Sequence, residues 1–419
     1  MTVPWHLDGG LHFALGIENT FVPQSGPGER ALDEYELTEH YEQWSGDLDL
    51  ASSAGAELLR WGIPWHRVQP EQGEWDWSWV DPVIERFGAI GLRPVIDLLH
   101  YGTPTWLERE FANPDFPARF AEFAVAFAER YGDRVTDYTP INEPMIHALF
   151  SGEYAYWPPY LSGTTGLCTM SIQLADGFHR AQHGIADVLG DRAVFVHVDA
   201  GMRFVGADEV SHHGELAERL RHQVWLVEDL VTGGVDDGHP LFTDLANAGL
   251  TDALLERLRA QPARPDVSGV NYYPRHSTEI IETCVHHGGG FADPRPTRDD
   301  GTEGLEELLL QAHARYGAPV AVTETCVTGT VEERSAWMDE SIDLVARLRA
   351  GGLPIVGYTW WPVFDMYEWT WRHSEAPRAD HQLSMGLWSL DESPEGLRRV
   401  ETPLVAQFRR HDADPRHRP

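Results

Sequence analysis

Eight short apolar runs, each closing on polar or aromatic residues, are spread through this 419-residue chain with amphipathic stretches between them. That alternation constrains the fold more than any other feature. Apolar runs of this length suit parallel strands buried on both faces, and parallel neighbours need a long, usually helical, crossover. The runs are FALGIEN (13–19), LLRWGIPW (58–65), RPVIDLLH (93–100), VTDYTPIN (135–142), AVFVHVD (193–199), VSGVNYY (267–273), PVAVTET (319–325) and IVGYTWW (355–361). Helices are expected in VDPVIERFGAIG, from Val80 to a stop at Gly91, and in PARFAEFAVAFAERYG, with Pro117 in its first turn and Gly132 at its end. Two more are TEGLEELLLQAHARYG, capped by the Thr302 hydroxyl and closed by Gly317, and VEERSAWMDESIDLVARLRAGG, closed by Gly351 and Gly352. An eight-stranded parallel (β/α)8 TIM barrel is the economical outcome. The rival, an open doubly wound sheet, usually carries a glycine-rich turn after its first strand, and GIENTFVPQSG has no G-x-G-x-x-G. One domain over residues 1–419 is expected, with a frayed tail from about residue 411.

The formal charge of −34, from 66 acidic and 32 basic residues, argues against nucleic acid and anionic membranes as partners. The chain contains no lysine. Lysine Schiff-base chemistry and a P-loop are therefore excluded; Arg372 and Arg378 leave one route to a phosphorylated sugar. Three scattered cysteines (Cys168, Cys284, Cys326) form no disulfide framework, and the adjacent pairs His212/His213 and His286/His287 lack metal-ligand spacing. No apolar run reaches transmembrane length, and the opening MTVPWHLDGGLHFALG lacks the layout of a signal peptide, so a cytoplasmic location is expected. Self-association as a homo-oligomer stays open.

In such barrels chemistry collects at the C-terminal ends of the strands. The runs place Arg60 and Trp65, His100, Asn142 and Glu143, Asn271 and Tyr273, Glu324, and Trp361 there, followed by Glu368 and Trp369. Two carboxylates facing one bond are the working parts of glycoside hydrolysis, one protonated and the other ionised. Arg60 is expected to keep Glu324 anionic, while burial and nearby negative charge raise Glu143. Trp361 and Trp369 offer flat faces to sugar C–H groups; His100, Asn142, Asn271 and Glu368 can bind hydroxyls. Taken singly, each has a plainer reading, as a strand-end ion pair or a packed ring. Trp5, Trp75, Trp77 and Trp79 are read as scaffold or surface, and Cys326 as a small packed residue.

The same stretches resemble family 1 glycoside hydrolases, the β-glucosidase group. TPINEP is similar to that family's T-x-N-E-P, VTET to T/S-E-N-G, LLHYGTPTWL to H-W-D-x-P-x-W-L, and GVNYY to N-Y-Y. GYTWWPVFDMYEW is similar to G-Y-x-x-W-S-L-x-D-N-F-E-W, and LLRWGIPWHRVQP to R-F-S-x-x-W-x-R-I-x-P. The likeness runs in the family's order from about Phe13 to Trp388. It implies that Glu324 is the nucleophile, supported by Arg60, Asn271 and Tyr273, and that Glu143 is the acid/base. It also implies that His100, Asn142, Trp361, Glu368 and Trp369 hold a small-molecule glycoside or oligosaccharide, with no cofactor. The departures are specific. Pro23, beside Gln24, stands where the family has a glycone-binding Gln, a contact that passes to Glu18 or Asn19. Tyr101-Gly102 replaces Trp-Asp, Thr325-Cys326 replaces Asn-Gly, and Pro362 and Met366 replace Ser and Asn. The expected activity is retaining β-glycoside hydrolysis. The alternatives are glycosyl transfer or rearrangement on a glycosylated natural product, and a carbohydrate-binding barrel without turnover.

Overall fold

The computed structural model describes residues 3–24, 26, 28–281 and 295–414. Cys284 and the His286/His287 pair lie outside them. Eight parallel strands close into a barrel: β1 (His12–Gly16), β2 (Leu58–Gly62), β3 (Arg93–Asp97), β4 (Asp137–Thr139), β5 (Val194–Ala200), β6 (Val267–Tyr272), β7 (Val320–Thr325) and β8 (Ile355–Trp360). Each is followed by a helix: α1 (His40–Ser53), α2 (Val80–Ile90), α3 (Phe116–Tyr131), α4 (Gly163–Leu189), α5 (Asp252–Ala260), α6 (Gly301–Tyr316), α7 (Val331–Ala350) and α8 (Pro403–Asp412). The (β/α)8 expectation holds, and every expected run overlaps a barrel strand. Six of the strands end one to three residues earlier than their apolar runs, β7 ends with its run, and β5 ends one residue later. After β2, for example, Pro64 turns the chain into a short helix at Trp65–Val68.

Local chemistry explains the helix ends. Gly91 and Gly317 both take the left-handed conformation (φ 71° each) that closes α2 and α6. α7 opens on a capping box: the Thr330 hydroxyl accepts from the Glu333 N–H at 3.2 Å, and the Glu333 carboxylate accepts from the Thr330 N–H at 2.8 Å. One expected cap is corrected. Thr302 lies inside α6, and the carboxylate of Asp299 accepts from the Gly301 N–H at 3.0 Å instead. The end of the chain, read as frayed from about residue 411, is helical through Asp412.

Inside the barrel a small core gathers Trp5, Ala14, Leu58, Val95, Val196, Val198, Val267, Ala321 and Val356. Trp5 precedes β1 and donates its indole N–H to Asp137, at the start of β4, at 2.6 Å. Its ring therefore closes the N-terminal end, and the opposite end carries the polar residues. Among the described residues, no helix is long and apolar enough to cross a membrane.

Candidate active site

Arg60 sits on β2 inside the barrel, 2% exposed. Its donors are spread over four partners. Nε and Nη2 reach Asp97 Oδ2 (3.1 and 2.6 Å), Nη2 also reaches Asn142 Oδ1 (2.7 Å), and Nη1 reaches Glu324 Oε1 (2.7 Å) and the Thr323 carbonyl (3.2 Å). The five N–H donors of an arginine fork can serve four acceptors at once, where a lysine has three donors.

Glu324 enters the site through an irregularity in β7. The register with β6 shifts between Val322 and Glu324. Strict alternation would turn Glu324 away from Thr323, but the shift lets both side chains serve the interior. The Thr323 hydroxyl donates to Asn271 Oδ1 at 2.7 Å, and Tyr273 donates its hydroxyl to Glu324 Oε2 at 2.6 Å.

Glu143 follows β4 after Pro140 ends the strand. Backbone bonds from Asn142 N to Leu99 O (2.9 Å) and from Glu143 N to Val198 O (3.0 Å) pin this segment between β3 and β5. Glu143 is left-handed, with φ 41° and ψ 60°. Its carboxyl accepts from Asn271 Nδ2 at 2.8 Å and from the hydroxyl of Tyr101.

Both carboxyls, with Glu18, His100, Tyr101, Asn271, Tyr273, Glu368 and Trp369, line one cavity of about 750 Å³. Part of its remaining wall is apolar, with Ile146, Leu149, Phe150, Met202, Val327 and Leu383, and part is polar, with Arg275, His276, Ser277, Glu279, Thr328 and Thr370. An unbroken chain of contacts joins the two glutamates: Glu324 to Arg60, Arg60 to Asn142, Asn142 to Asn271 (3.4 Å), and Asn271 to Glu143.

Burial dominates the electrostatics. It pushes Glu324 up to about 8; Arg60 opposes this and Glu143 adds to it. Arg60 alone therefore does not keep Glu324 ionised, because desolvation outweighs it. Burial also raises Glu143, against its bonds from Tyr101 and Asn271. Burial raises Asp97 too, but Arg60 and His100 prevail and hold it below its ordinary value. Burial lowers His100, yet Asp97 and Glu18 prevail and raise it.

The other expected residues separate into those in the cavity and those behind it. Of the two residues expected at the glycone contact, Glu18 lines the cavity. Its Oε1 accepts from the Thr20 N–H and hydroxyl (3.0 and 2.6 Å), and its Oε2 accepts from Trp361 Nε1 (2.8 Å). Asn19 does not reach the cavity: it lines a separate small cleft with Phe21 and Tyr35, in space left by the missing side chain of Gly62. Trp361 is 1% exposed and lies beneath the wall, in room left by Gly16, with its ring parallel to His100 (5.9 Å) and 4.6 Å from the Arg60 guanidinium carbon. The flat platform expected at two tryptophans is offered to the cavity by Trp369 alone. Asn142 is wholly buried, and its amide serves Arg60, His100 and Tyr101. Arg372 is buried on the carbonyls of Val22 and Pro23 and the carboxylate of Glu29, and Arg378 pairs with Glu39 and Glu392. Neither arginine lines the cavity. Sequence reasoning missed Tyr101 as a site residue. The signal available was its place beside His100, at a motif position where it departs from tryptophan.

Comparison with known proteins agrees with this architecture. The family model described as "Glycosyl hydrolase family 1" matches residues 23–285. "Beta-glucosidase 47" of Arabidopsis thaliana is 24% identical over 378 residues, covering 79% of this chain and 69% of that protein. "Galactolipid galactosyltransferase SFR2, chloroplastic", also of Arabidopsis thaliana, is 21% identical over 351 residues, covering 77% of this chain and 51% of that protein. The solved structure "Family 1 b-glucosidase from Thermotoga maritima" superposes with a TM-score of 0.80 at 17% identity, covering 97% of each chain.

Proposed function

The chain belongs to glycosyl hydrolase family 1 and is a glycoside hydrolase with a β-glucosidase-like fold, and from that premise we propose that it cleaves β-glycosides with retention of configuration. Glu324 is the nucleophile and Glu143 the acid/base. The observation that carries this reading is the contact chain through Arg60, Asn142 and Asn271, which holds two buried carboxyls on one cavity.

The reactive state is the pair carrying one proton. Burial favours keeping that proton, and its place follows from the partners. Glu324 faces a guanidinium, whereas Glu143 accepts only from the neutral donors Tyr101 and Asn271. The negative charge therefore belongs on Glu324 and the proton on Glu143. Glu324 attacks the anomeric carbon as Glu143 protonates the departing oxygen. Glu143, now a carboxylate, then takes a proton from the water that hydrolyses the glycosyl-enzyme. Glu18, His100 and Glu368 bind sugar hydroxyls, and Trp369 covers a sugar face. The apolar stretch of wall at Leu149, Phe150 and Met202 suits an apolar aglycone, since these three side chains offer no groups to pair with hydroxyls.

A panel of nitrophenyl β-glycosides, with the first-formed anomer followed by NMR, tests the proposal. Retention is expected, and a 2-deoxy-2-fluoro glycoside should leave its label on the peptide containing Glu324. An inverted product, or a label on another residue, defeats it. The same wall favours a second reading, glycosyl transfer to an apolar alcohol, an activity class that the name of one relative also carries. An added alcohol that raises turnover and appears in the product supports transfer.

A further inference from the structure

We propose that Tyr101 is the positioning residue for Glu143, fixing the carboxyl of the acid/base through its phenolic hydroxyl. This inference rests on the reading of Glu143 given above. The hydroxyl donates its single proton to Glu143 Oε2 and accepts from Asn142 Nδ2 at 3.2 Å. Asn271 holds the other carboxyl oxygen at 2.8 Å, so the carboxyl is pinned at both ends and its plane cannot turn. Asn142 is also the acceptor for Arg60, which ties the phenol into the network that reaches Glu324.

Tyr101 is itself tightly held. It is 2% exposed, and its ring packs against His100, His147, Trp157 and Trp369 at centroid distances of 4.8, 4.8, 5.1 and 5.3 Å. Its backbone is left-handed at φ 77°, a conformation that costs a β-carbon residue free energy and persists only where its surroundings impose it. Burial keeps the phenol protonated, and hence a donor, across the working range.

The charged groups around Glu143 set the sign of the expected effect. Arg60 and His100 favour its ionised form, while Glu324 and Asp199 oppose it. Burial keeps His147, one turn further on, neutral. Tyr101 adds a bond to the ionised form. Losing the hydroxyl therefore leaves burial less opposed and raises the carboxyl.

The test is the pH profile of kcat/KM for Tyr101→Phe against wild type, on a nitrophenyl β-glycoside that wild type turns over. The basic limb should move up by about one pH unit, and kcat/KM at neutral pH should fall about tenfold. With a dinitrophenyl glycoside, which needs little acid assistance, kcat and KM should fall together as the glycosyl-enzyme accumulates, and azide should restore kcat. A purely structural tyrosine would lower all rates alike and leave the limb in place, which would overturn the inference. Should Tyr101→Phe not fold, 3-fluorotyrosine at position 101 keeps the shape and is a stronger donor. It should shift the basic limb downward, and an unmoved limb would again overturn the inference. Wild type that turns over no β-glycoside defeats the functional reading beneath it.

Discussion

At the N-terminal end of the barrel, Asp137 accepts from Trp5 Nε1 at 2.6 Å, Arg93 Nε at 2.8 Å and Thr136 Oγ1 at 2.8 Å. At the C-terminal end, Glu324 accepts from Arg60 and Tyr273, and Glu143 from Tyr101 and Asn271. Each end thus buries carboxylates among an arginine, an aromatic donor and smaller polar groups. They differ in what lies in front. Asp137 meets the indole that closes the cylinder, whereas Glu143 and Glu324 meet a cavity of about 750 Å³. A hydrogen-bonded acid with a closed front can only brace the fold. The same kind of acid with an open front can receive a substrate.

The strongest way to break this comparison is to blunt each end in turn. Glu324→Gln should cut kcat more than about 10⁴-fold on aryl glycosides, while circular dichroism melting at neutral pH shows a midpoint at or above that of wild type, since burial disfavours the Glu324 carboxylate more than Arg60 favours it and Asp97 still pairs with Arg60. Trp5→Ala should do the reverse. It opens the plug and costs about 3–5 kcal/mol of stability, yet kcat/KM measured well below the lowered melting point stays within about twofold of wild type, because uncoupled distant sites add. Lost activity in the second variant, or lost stability in the first, would erase the distinction between the two ends.

A pH series sharpens it. The Glu324 carboxyl has an ordinary value of 4.5 and is pushed up to about 8 in the fold. Between those values the folded state binds more protons than the unfolded one. The stability linked to this group is therefore fully present below the lower value and lost as pH rises through the upper one. Melting temperature should fall across that window in wild type, and the fall should be shallower in Glu324→Gln. Equal slopes in the two proteins would show that the open end is not the source. The smallest expected effect concerns the apolar wall. Phe150→Ala should raise KM for a naphthyl or long-alkyl β-glycoside about tenfold, with KM for a methyl β-glycoside unchanged.

The barrel was legible because its signals are local and periodic. Eight apolar runs need only burial on both faces, and the caps at Gly91 and Gly317 need only glycine. Glu143 and Glu324 were legible as strand-end carboxylates. The rest depends on contacts across the barrel. The register shift near Thr323 leaves no local mark in VTET, and nothing in GIEN tells Glu18 from Asn19 until Gly62 is seen to receive the asparagine. Trp361 reads as a platform until Gly16, far away in sequence, is seen to accommodate its ring below the wall. Thr302 failed as a cap because Asp299 supplies a better-placed acceptor one turn earlier.

The left-handed backbone at Glu143 (φ 41°, ψ 60°) has an evolutionary consequence. Such a geometry disfavours any side chain with a β-carbon by about 1–2 kcal/mol, and glycine is spared that cost. That backbone cost opposes glutamate at codon 143, whereas the bonds its carboxyl accepts from Tyr101 and Asn271, and the turnover proposed for it, favour it there. A library sorted for survival after heating and then, separately, for activity separates these contributions at this position.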